Sequence, residues 1–149
     1  MKLRTNLSDE PEFVVFHYGA YDAQALARLS RRYGGNPTLL NRLASACVNV
    51  LALIYGRIYI PVHSTDLKSI AGCLDFKWSD ETASGIQSLV WRNRWETSRE
   101  QTHKQQLLRY NLEDCAALEI VTKTIAAICG SDELFGGTLP KSTLCANNG

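Results

Sequence analysis

The sequence predicts an α/β fold in which a small sheet near the N-terminus is followed by a helix-rich C-terminal half. Residues 13–18 are almost all apolar, β-branched or aromatic, and Gly19 ends the run. A short run of this kind is typical of a strand buried on both faces of a sheet that contains parallel strands. Residues 101–129 contain no Gly or Pro and many helix-forming residues, which predicts one long helix.

Shorter elements are predicted between these two signals. They are a helix that begins at Tyr21 or Asp22 and runs to 33, a helix over 38–45, a strand over 47–51, a helical turn over 52–56, an extended segment over 59–62, a helix over 66–74, a loop over 75–81 and a helix over 82–99. Gly34 is a usual C-terminal stop for the first helix. Pro61 keeps the residue before it out of a helix. Ser64 or Thr65 is expected to cap the helix that starts at Asp66.

Length, charge and cysteine content narrow the class of protein. A chain of 149 residues allows one domain with a core, which we expect over 13–129, with a frayed start over 1–12 and a flexible tail over 130–149. The net charge of +1 predicts no overall attraction to nucleic acid or to a membrane. The five cysteines form no CxxC pair, and no signal peptide or membrane-spanning run is present, which predicts a soluble cytoplasmic protein with free thiols.

Three side chains suggest a metal-assisted reaction. Tyr110 and Asp114 are four residues apart in the long helix and therefore share one face. Asp22 follows the first strand, at the edge of the sheet where α/β proteins gather their chemistry. If the long helix packs across the strand ends, both carboxylates face one cleft and suit Mg²⁺ or Mn²⁺. The alternatives are an ordinary polar helix edge for the pair and a helix N-cap for Asp22.

Three motifs in order make the chain resemble a known family. They are His17-Tyr18-x-x-Tyr21-Asp22, then Leu67-Lys68-Ser69-Ile70-Ala71 leading to Phe76-x-Trp78, then Tyr110-Asn111-x-Glu113-Asp114-Cys115. Over roughly 13–128 this order resembles the YprB-type ribonuclease H-like domain of the DEDD exonuclease superfamily, in its Tyr-containing branch, which occurs in RecB-family nucleases.

The resemblance implies a ribonuclease H-like fold with a mixed sheet and a two-metal site that uses Mg²⁺ or Mn²⁺. It makes Asp22 and Asp114 metal ligands and Tyr110 the phenol that orients the attacking water, with Glu113 as a neighbour. Asn49 falls where related sequences carry Asp or Asn.

One part of the family pattern is absent. No Asp-x-Glu stands ahead of the first strand, where the family carries the carboxylate that bridges both metals. We therefore expect an N-terminally truncated domain with an incomplete sheet and weak or no activity. An in-frame strand with Asp-x-Glu encoded upstream would restore the enzyme interpretation. The exposed sheet edge predicts marginal stability or self-association, and a monodisperse, cooperatively unfolding monomer would count against it.

Contacts to nucleic acid are predicted at His17, Lys68 and Arg109, with DNA favoured over RNA and no membrane partner. His17 is alternatively packed, and Lys68 is alternatively a surface lysine. Two basic clusters are candidates for phosphate contacts or solvated helix faces: one is Arg28, Arg31 and Arg32, and the other is Arg92, Arg94, Arg99, Lys104 and Arg109, interleaved with Trp91 and Trp95.

Two functions remain open at this point. The first is a metal-dependent 3'-5' exonuclease-like phosphodiesterase, weak or inactive in this chain. The second is a non-catalytic remnant that keeps the fold and binds nucleic acid or another partner.

Overall fold

The computed structural model describes residues 13–129. The elements are β1 (Val15–His17), α1 (Tyr21–Tyr33), α2 (Pro37–Ala46), β2 (Cys47–Asn49), α3 (Val50–Ile54), α4 (Leu67–Cys73), α5 (Gly85–Ser98) and α6 (Gln101–Cys129). This order confirms an α/β chain with a helix-rich C-terminal half. The predictions for 1–12 and 130–149 lie outside the described residues.

The chain forms two compact units. Within the described residues, the first unit comprises 13–58 together with 125–129, and the second is Tyr59–Thr124. The first unit holds the sheet, and the second holds α4, α5 and most of α6. No helix within 13–129 has the length and apolar character needed to cross a membrane.

Strands β1 and β2 of the first unit pair in parallel, with Val15 opposite Cys47 and His17 opposite Asn49. The connection through α1 and α2 is long enough for the crossover that parallel strands require. Pairing runs only from Val15 to His17 because its partner β2 lies between the end of α2 at Ala46 and the start of α3 at Val50, so both strands are shorter than predicted. Within 13–129 the sheet consists of this parallel pair, and the antiparallel strand of a mixed sheet stays a prediction.

A side chain at the end of β2 secures the loop that follows β1. The Gly19 N–H donates to Asn49 Oδ1 at 3.0 Å. Gly19 has a φ of 72°, a left-handed conformation that suits glycine. This contact gives Asn49 a structural role. The family resemblance had indicated the position of Asn49 but no role for it.

The ends of α1 and α2 follow the sequence pattern. Gly34 ends α1 with a φ of 74°. Asn36 caps α2 and accepts from the backbone N–H groups of Thr38 and Leu39. Both helices therefore form within a residue or two of their predicted bounds.

Two helix starts in the second unit differ from the prediction. Asp66, and not Ser64 or Thr65, caps α4, because its Oδ1 accepts from Ser69 N at 2.9 Å. The next helix, α5, begins at Gly85 and not at Thr82. The delay arises because Asp80 accepts from both the backbone N–H and the hydroxyl of Thr82, which forms a local turn instead of a helical turn.

The buried apolar side chains of the second unit come from α4, the loop after it, α5 and α6. They are Ile70, Ala71, Trp78, Ala83, Trp91, Ala117 and Val121. The free thiols predicted from the sequence are confirmed for Cys47, Cys73, Cys115 and Cys129, and Cys145 lies outside the described residues.

Candidate functional site

Asp114 of α6 lies half-buried in the second unit and is held by a tryptophan from the preceding loop. The indole Nε1–H of Trp78 donates to Asp114 Oδ1 at 2.9 Å. Burial raises the pKa of Asp114, and the adjacent Glu113 adds to the rise. Hydrogen bonds from Trp78 and Tyr110 and the charge of Lys68 oppose it. The carboxylate is therefore costly to ionise where it stands, although three neighbouring groups favour its charged form.

Tyr110 lies one helical turn before Asp114 and faces the same carboxylate. Burial raises the pKa of Tyr110 to about 12, with further contributions from the charge of Asp114 and a hydrogen bond to it. The ring meets Trp91 edge-on, with centroids 6.3 Å apart. The phenol is thus neutral at physiological pH. Because its single proton faces Asp114, its oxygen can only accept a hydrogen bond from a water.

Glu113 ties the loop after α4 to α6. Both of its carboxylate oxygens lie 3.3 Å from the backbone N–H of Ser79, which donates to them. Ser79 directly follows Trp78, so the loop is held to α6 at two successive residues. This pair of contacts places the indole beside Asp114.

Lys68 of α4 is half-buried. Its ammonium group donates to the backbone carbonyl of Ala83. It also lies 5.2 Å from the centroid of the Trp78 ring, within range of a cation–π interaction. Its charge lowers the pKa of Asp114, so this lysine belongs to the surroundings of that carboxylate.

A small cavity of about 110 Å³ lies beside Tyr110 within the second unit. Its lining comes from the loop, α5 and α6, and comprises Ser79, Asp80, Ala83, Trp91, Gln106, Arg109, Tyr110 and Glu113. The exposed Arg109 supplies the single positive side chain of this lining, which also contains the carboxylates of Asp80 and Glu113. The cavity therefore offers mixed polarity next to the phenol.

The RNase_H_2 family model, described as RNase H superfamily, matches residues 1–126. The chain belongs to the RNase H superfamily. No curated protein and no solved structure matches the chain. Membership indicates a nuclease-like nucleic-acid phosphodiesterase, and nucleases of the RNase H superfamily generally use divalent metals.

The remaining predicted site residues of this RNase H superfamily chain lie in the first unit. Asp22 is exposed in the first turn of α1. Ala20 occupies the N-cap position without a side-chain cap, so the alternative that Asp22 caps the helix is wrong. The Nδ1 of His17 lies 2.9 Å from the Gly19 carbonyl, which is a local packing contact at the end of β1. Convergence of Asp22 and Asp114 on one cleft stays a prediction.

The donor chemistry around Asp114 fits a divalent metal only in part. Asp114 offers carboxylate oxygens, the ligand type that Mg²⁺ and Mn²⁺ prefer, and a carboxylate has more acceptor sites than Trp78 and Tyr110 occupy. Within 13–129, however, no three His, Cys, Asp or Glu side chains come together as a ligand group. In the second unit, Asp114 is therefore a suitable single ligand among the described residues.

In the second basic cluster, some of the aromatic and basic side chains are packed and others face solvent. Trp91 is buried, which confirms the core alternative for that residue. Trp95 is only partly buried, and the cationic groups of Arg99 and Lys104 lie 5.0 and 5.7 Å from its ring centroid. Arg92 pairs with Glu96 at 3.0 Å on the exposed face of α5. Two of the cluster's cations thus lie beside the ring of Trp95.

The sequence pattern did not identify Trp78 as a site residue, although Trp78 stands in the second of the three motifs. A signal was present: a tryptophan in a loop between helices is usually buried, and a buried indole N–H needs an acceptor. Its partner, Asp114, is 36 residues away, so no local spacing identifies it.

The pKa of Tyr110 predicts a loss of stability at high pH. Between the ordinary value of 10.0 and about 12, the unfolded chain releases this proton while the folded chain keeps it. The folded state then binds more protons, so the free energy of unfolding contributed by Tyr110 falls as pH rises through this window and is unaffected below it. Phenolate absorbance is measured against pH for the native chain and for Tyr110→Phe. The variant should lack one ionisation step, and that step should lie near pH 12 in the native chain. A missing transition near pH 10 would contradict the assignment.

Proposed function

We propose that this chain carries a metal-dependent, 3'-5' exonuclease-like phosphodiesterase domain of the Tyr-containing DEDD type, and that the chain itself has weak or no activity. The observation that supports the type is the Tyr110–Asp114 pair on α6, with Asp114 held by the indole of Trp78. The last motif of a Tyr-containing DEDD exonuclease needs a neutral phenol and an anchored carboxylate, and Tyr110 and Asp114 supply them one helical turn apart.

Each side chain has a defined task in this proposal. Asp114 and Asp22 are ligands for Mg²⁺ or Mn²⁺, and such an ion, when bound, supplies an activated water and stabilises the leaving oxygen. Tyr110 accepts a hydrogen bond from the attacking water through its phenol oxygen and so aligns the water. Arg109, exposed beside Tyr110, is placed to contact a phosphate group of the substrate.

Two observations support weak activity. The 149 residues contain no Asp-x-Glu, so the carboxylate that bridges both metals in the family is not present in them. Within the described range no ligand group of three acidic, histidine or cysteine side chains forms around Asp114. One anchored carboxylate holds a divalent cation weakly, because such cations take several oxygen ligands.

The finer attributes follow the family resemblance. We propose that the substrate is DNA more than RNA, that the domain is of the YprB type found in RecB-family nucleases, and that the chain works in the cytoplasm. Contacts of His17 and Lys68 with nucleic acid, and self-association through the edge of the β1–β2 sheet, belong to the same proposal.

Replacement of Asp114 by asparagine tests the proposal. Asp114→Asn keeps an oxygen that can accept from Trp78 but removes the charge that a metal needs. We expect Mn²⁺ affinity, measured by electron paramagnetic resonance, to fall at least tenfold, since loss of an outer-shell partner alone typically costs about 10–100-fold. The thermal midpoint should stay equal or rise, because burial disfavours the ionised form of Asp114.

Asp75→Asn is the matched control. Asp75 is exposed in the same unit with a φ of 61°, a conformation that asparagine also tolerates, so neither affinity nor stability should change. Labelled DNA and RNA oligonucleotides are then incubated with each protein and Mg²⁺ or Mn²⁺. Robust degradation that depends on Asp114 would overturn the proposal of weak activity, and Mn²⁺ binding unchanged by Asp114→Asn would overturn the metal-site proposal.

A second candidate is a non-catalytic module that binds nucleic acid. Trp95 favours it, since a partly buried ring flanked by Arg99 and Lys104 combines a stacking surface with two charges for phosphates. Oligonucleotide binding without hydrolysis, unaffected by Asp114→Asn and weakened by Trp95→Ala, would favour this candidate over the first.

A further inference from the structure

We infer that Trp78 is a positioning residue for the candidate site, because its indole N–H fixes the rotation of the Asp114 carboxylate. The inference rests on the proposed role of Asp114 as a metal ligand. It assigns a function to a residue that neither strand order nor helix spacing connects with the site.

The donor itself is held in place from several sides. Trp78 is 9% exposed, and its ring meets Phe76 edge-on at 4.8 Å between centroids. The ammonium of Lys68 lies 5.2 Å from the centroid of the same ring and is fixed by its hydrogen bond to the Ala83 carbonyl. The indole therefore has little freedom to turn its N–H away from Asp114.

The acceptor is the group whose orientation matters to a metal. Trp78 Nε1 lies 2.9 Å from Asp114 Oδ1, and a hydrogen bond to an ionised oxygen is roughly twice as strong as one between neutral groups. A backbone carbonyl would satisfy the indole equally well if the ring served packing alone. Carboxylates that bind metals are themselves hydrogen-bonded by outer residues that set their angle, which is the arrangement found here.

A second hydrogen bond, next to the indole contact, holds the same loop to α6. The backbone N–H of Ser79 donates to Glu113 at 3.3 Å, so the residues next to Trp78 and next to Asp114 are joined in parallel with the indole contact. Two adjacent anchors between the same loop and the same helix leave the indole and the carboxylate in one relative position. A ligand that binds Asp114 thus meets a carboxylate that is already oriented.

The test removes the indole N–H of Trp78 and keeps the packing of its ring. Site-specific incorporation of 3-benzothienylalanine at position 78 replaces the N–H by sulfur and keeps the size and shape of the side chain. We expect the Mn²⁺ dissociation constant, measured by electron paramagnetic resonance on the full chain, to rise roughly tenfold. The thermal midpoint should stay within a few degrees of the native value, about the shift that a single lost hydrogen bond produces. Binding is measured at a temperature at which circular dichroism shows each protein folded.

The same amino acid at position 95 is the control, because Trp95 stacks with Arg99 and Lys104 and has no contact to Asp114 among its ring interactions. Unchanged Mn²⁺ affinity for the position-78 protein, alongside weaker binding by Asp114→Asn, would overturn the positioning role and leave the proposed function intact. Unchanged affinity in Asp114→Asn would overturn the proposed function and this inference with it. Equal losses at positions 78 and 95 would also overturn the inference, since they would show a general effect of the analogue.

Discussion

Truncation of Trp78 to alanine should lower the free energy of unfolding by roughly 3–5 kcal/mol, the range observed for large aromatic side chains in protein cores. The side chain is 9% exposed and contacts Phe76, Lys68 and Asp114 at once. Its removal leaves a cavity and takes the best-formed donor from a half-buried carboxylate. Domains of this size are stable by about 5–15 kcal/mol in total, so the loss is a large share of the whole.

Urea unfolding followed by circular dichroism measures this change, with Trp95→Ala as the matched control. Trp95 is only partly buried and its ring contacts are two long cationic side chains that can turn to solvent. We expect the control to cost clearly less than Trp78→Ala. Equal losses for the two variants would contradict the central place of Trp78 in the second unit.

Ile70→Ala should cost roughly 2–5 kcal/mol, because the side chain of Ile70 in α4 is 1% exposed and its loss leaves a cavity among well-packed neighbours. Ile86→Ala is the matched control. Ile86 lies in α5 and is 79% exposed, so its replacement should change stability by no more than about 0.5 kcal/mol. Both positions are helical, and the difference in helix propensity between isoleucine and alanine therefore cancels in the comparison.

The thermal or urea midpoints of the two isoleucine variants test whether Ile70 is buried and whether Ile86 is exposed to solvent. If Ile86→Ala destabilised the chain as much as Ile70→Ala, the exposed face of α5 would have to be covered, for example by a second copy of the chain. A concentration-dependent midpoint would identify that case, because association stabilises a folded protein by mass action.

The candidate site was partly predictable because half of it is local. Tyr110 and Asp114 lie one helical turn apart, so a helix over 101–129 is enough to bring them together, and that helix has the predicted bounds. Its sequence contains no Gly or Pro to interrupt it. The superfamily followed from the order of three short motifs, and the family match over residues 1–126 confirms it at that level.

Helix ends and strand lengths were predicted less well, since they depend on competition between neighbours. Asp66 took the cap of α4 because its carboxylate stands one residue before the helix and reaches the Ser69 N–H. The six-residue apolar run pairs over only three residues, Val15–His17, because β2 is itself limited by the end of α2 and the start of α3. A strand extends only as far as its partner supplies hydrogen-bonding groups.

The sequence by itself determined the α/β class, the long helix, the Tyr110–Asp114 pair and the superfamily, because each rests on residue type, on periodicity or on the order of motifs along the chain. Only the tertiary structure decided what surrounds Asp114. The Trp78 indole is 36 residues away, and Lys68 reaches the same place from α4. Contacts across such distances depend on the path of the folded chain, and on the need of each buried polar group for a partner, neither of which a local pattern encodes.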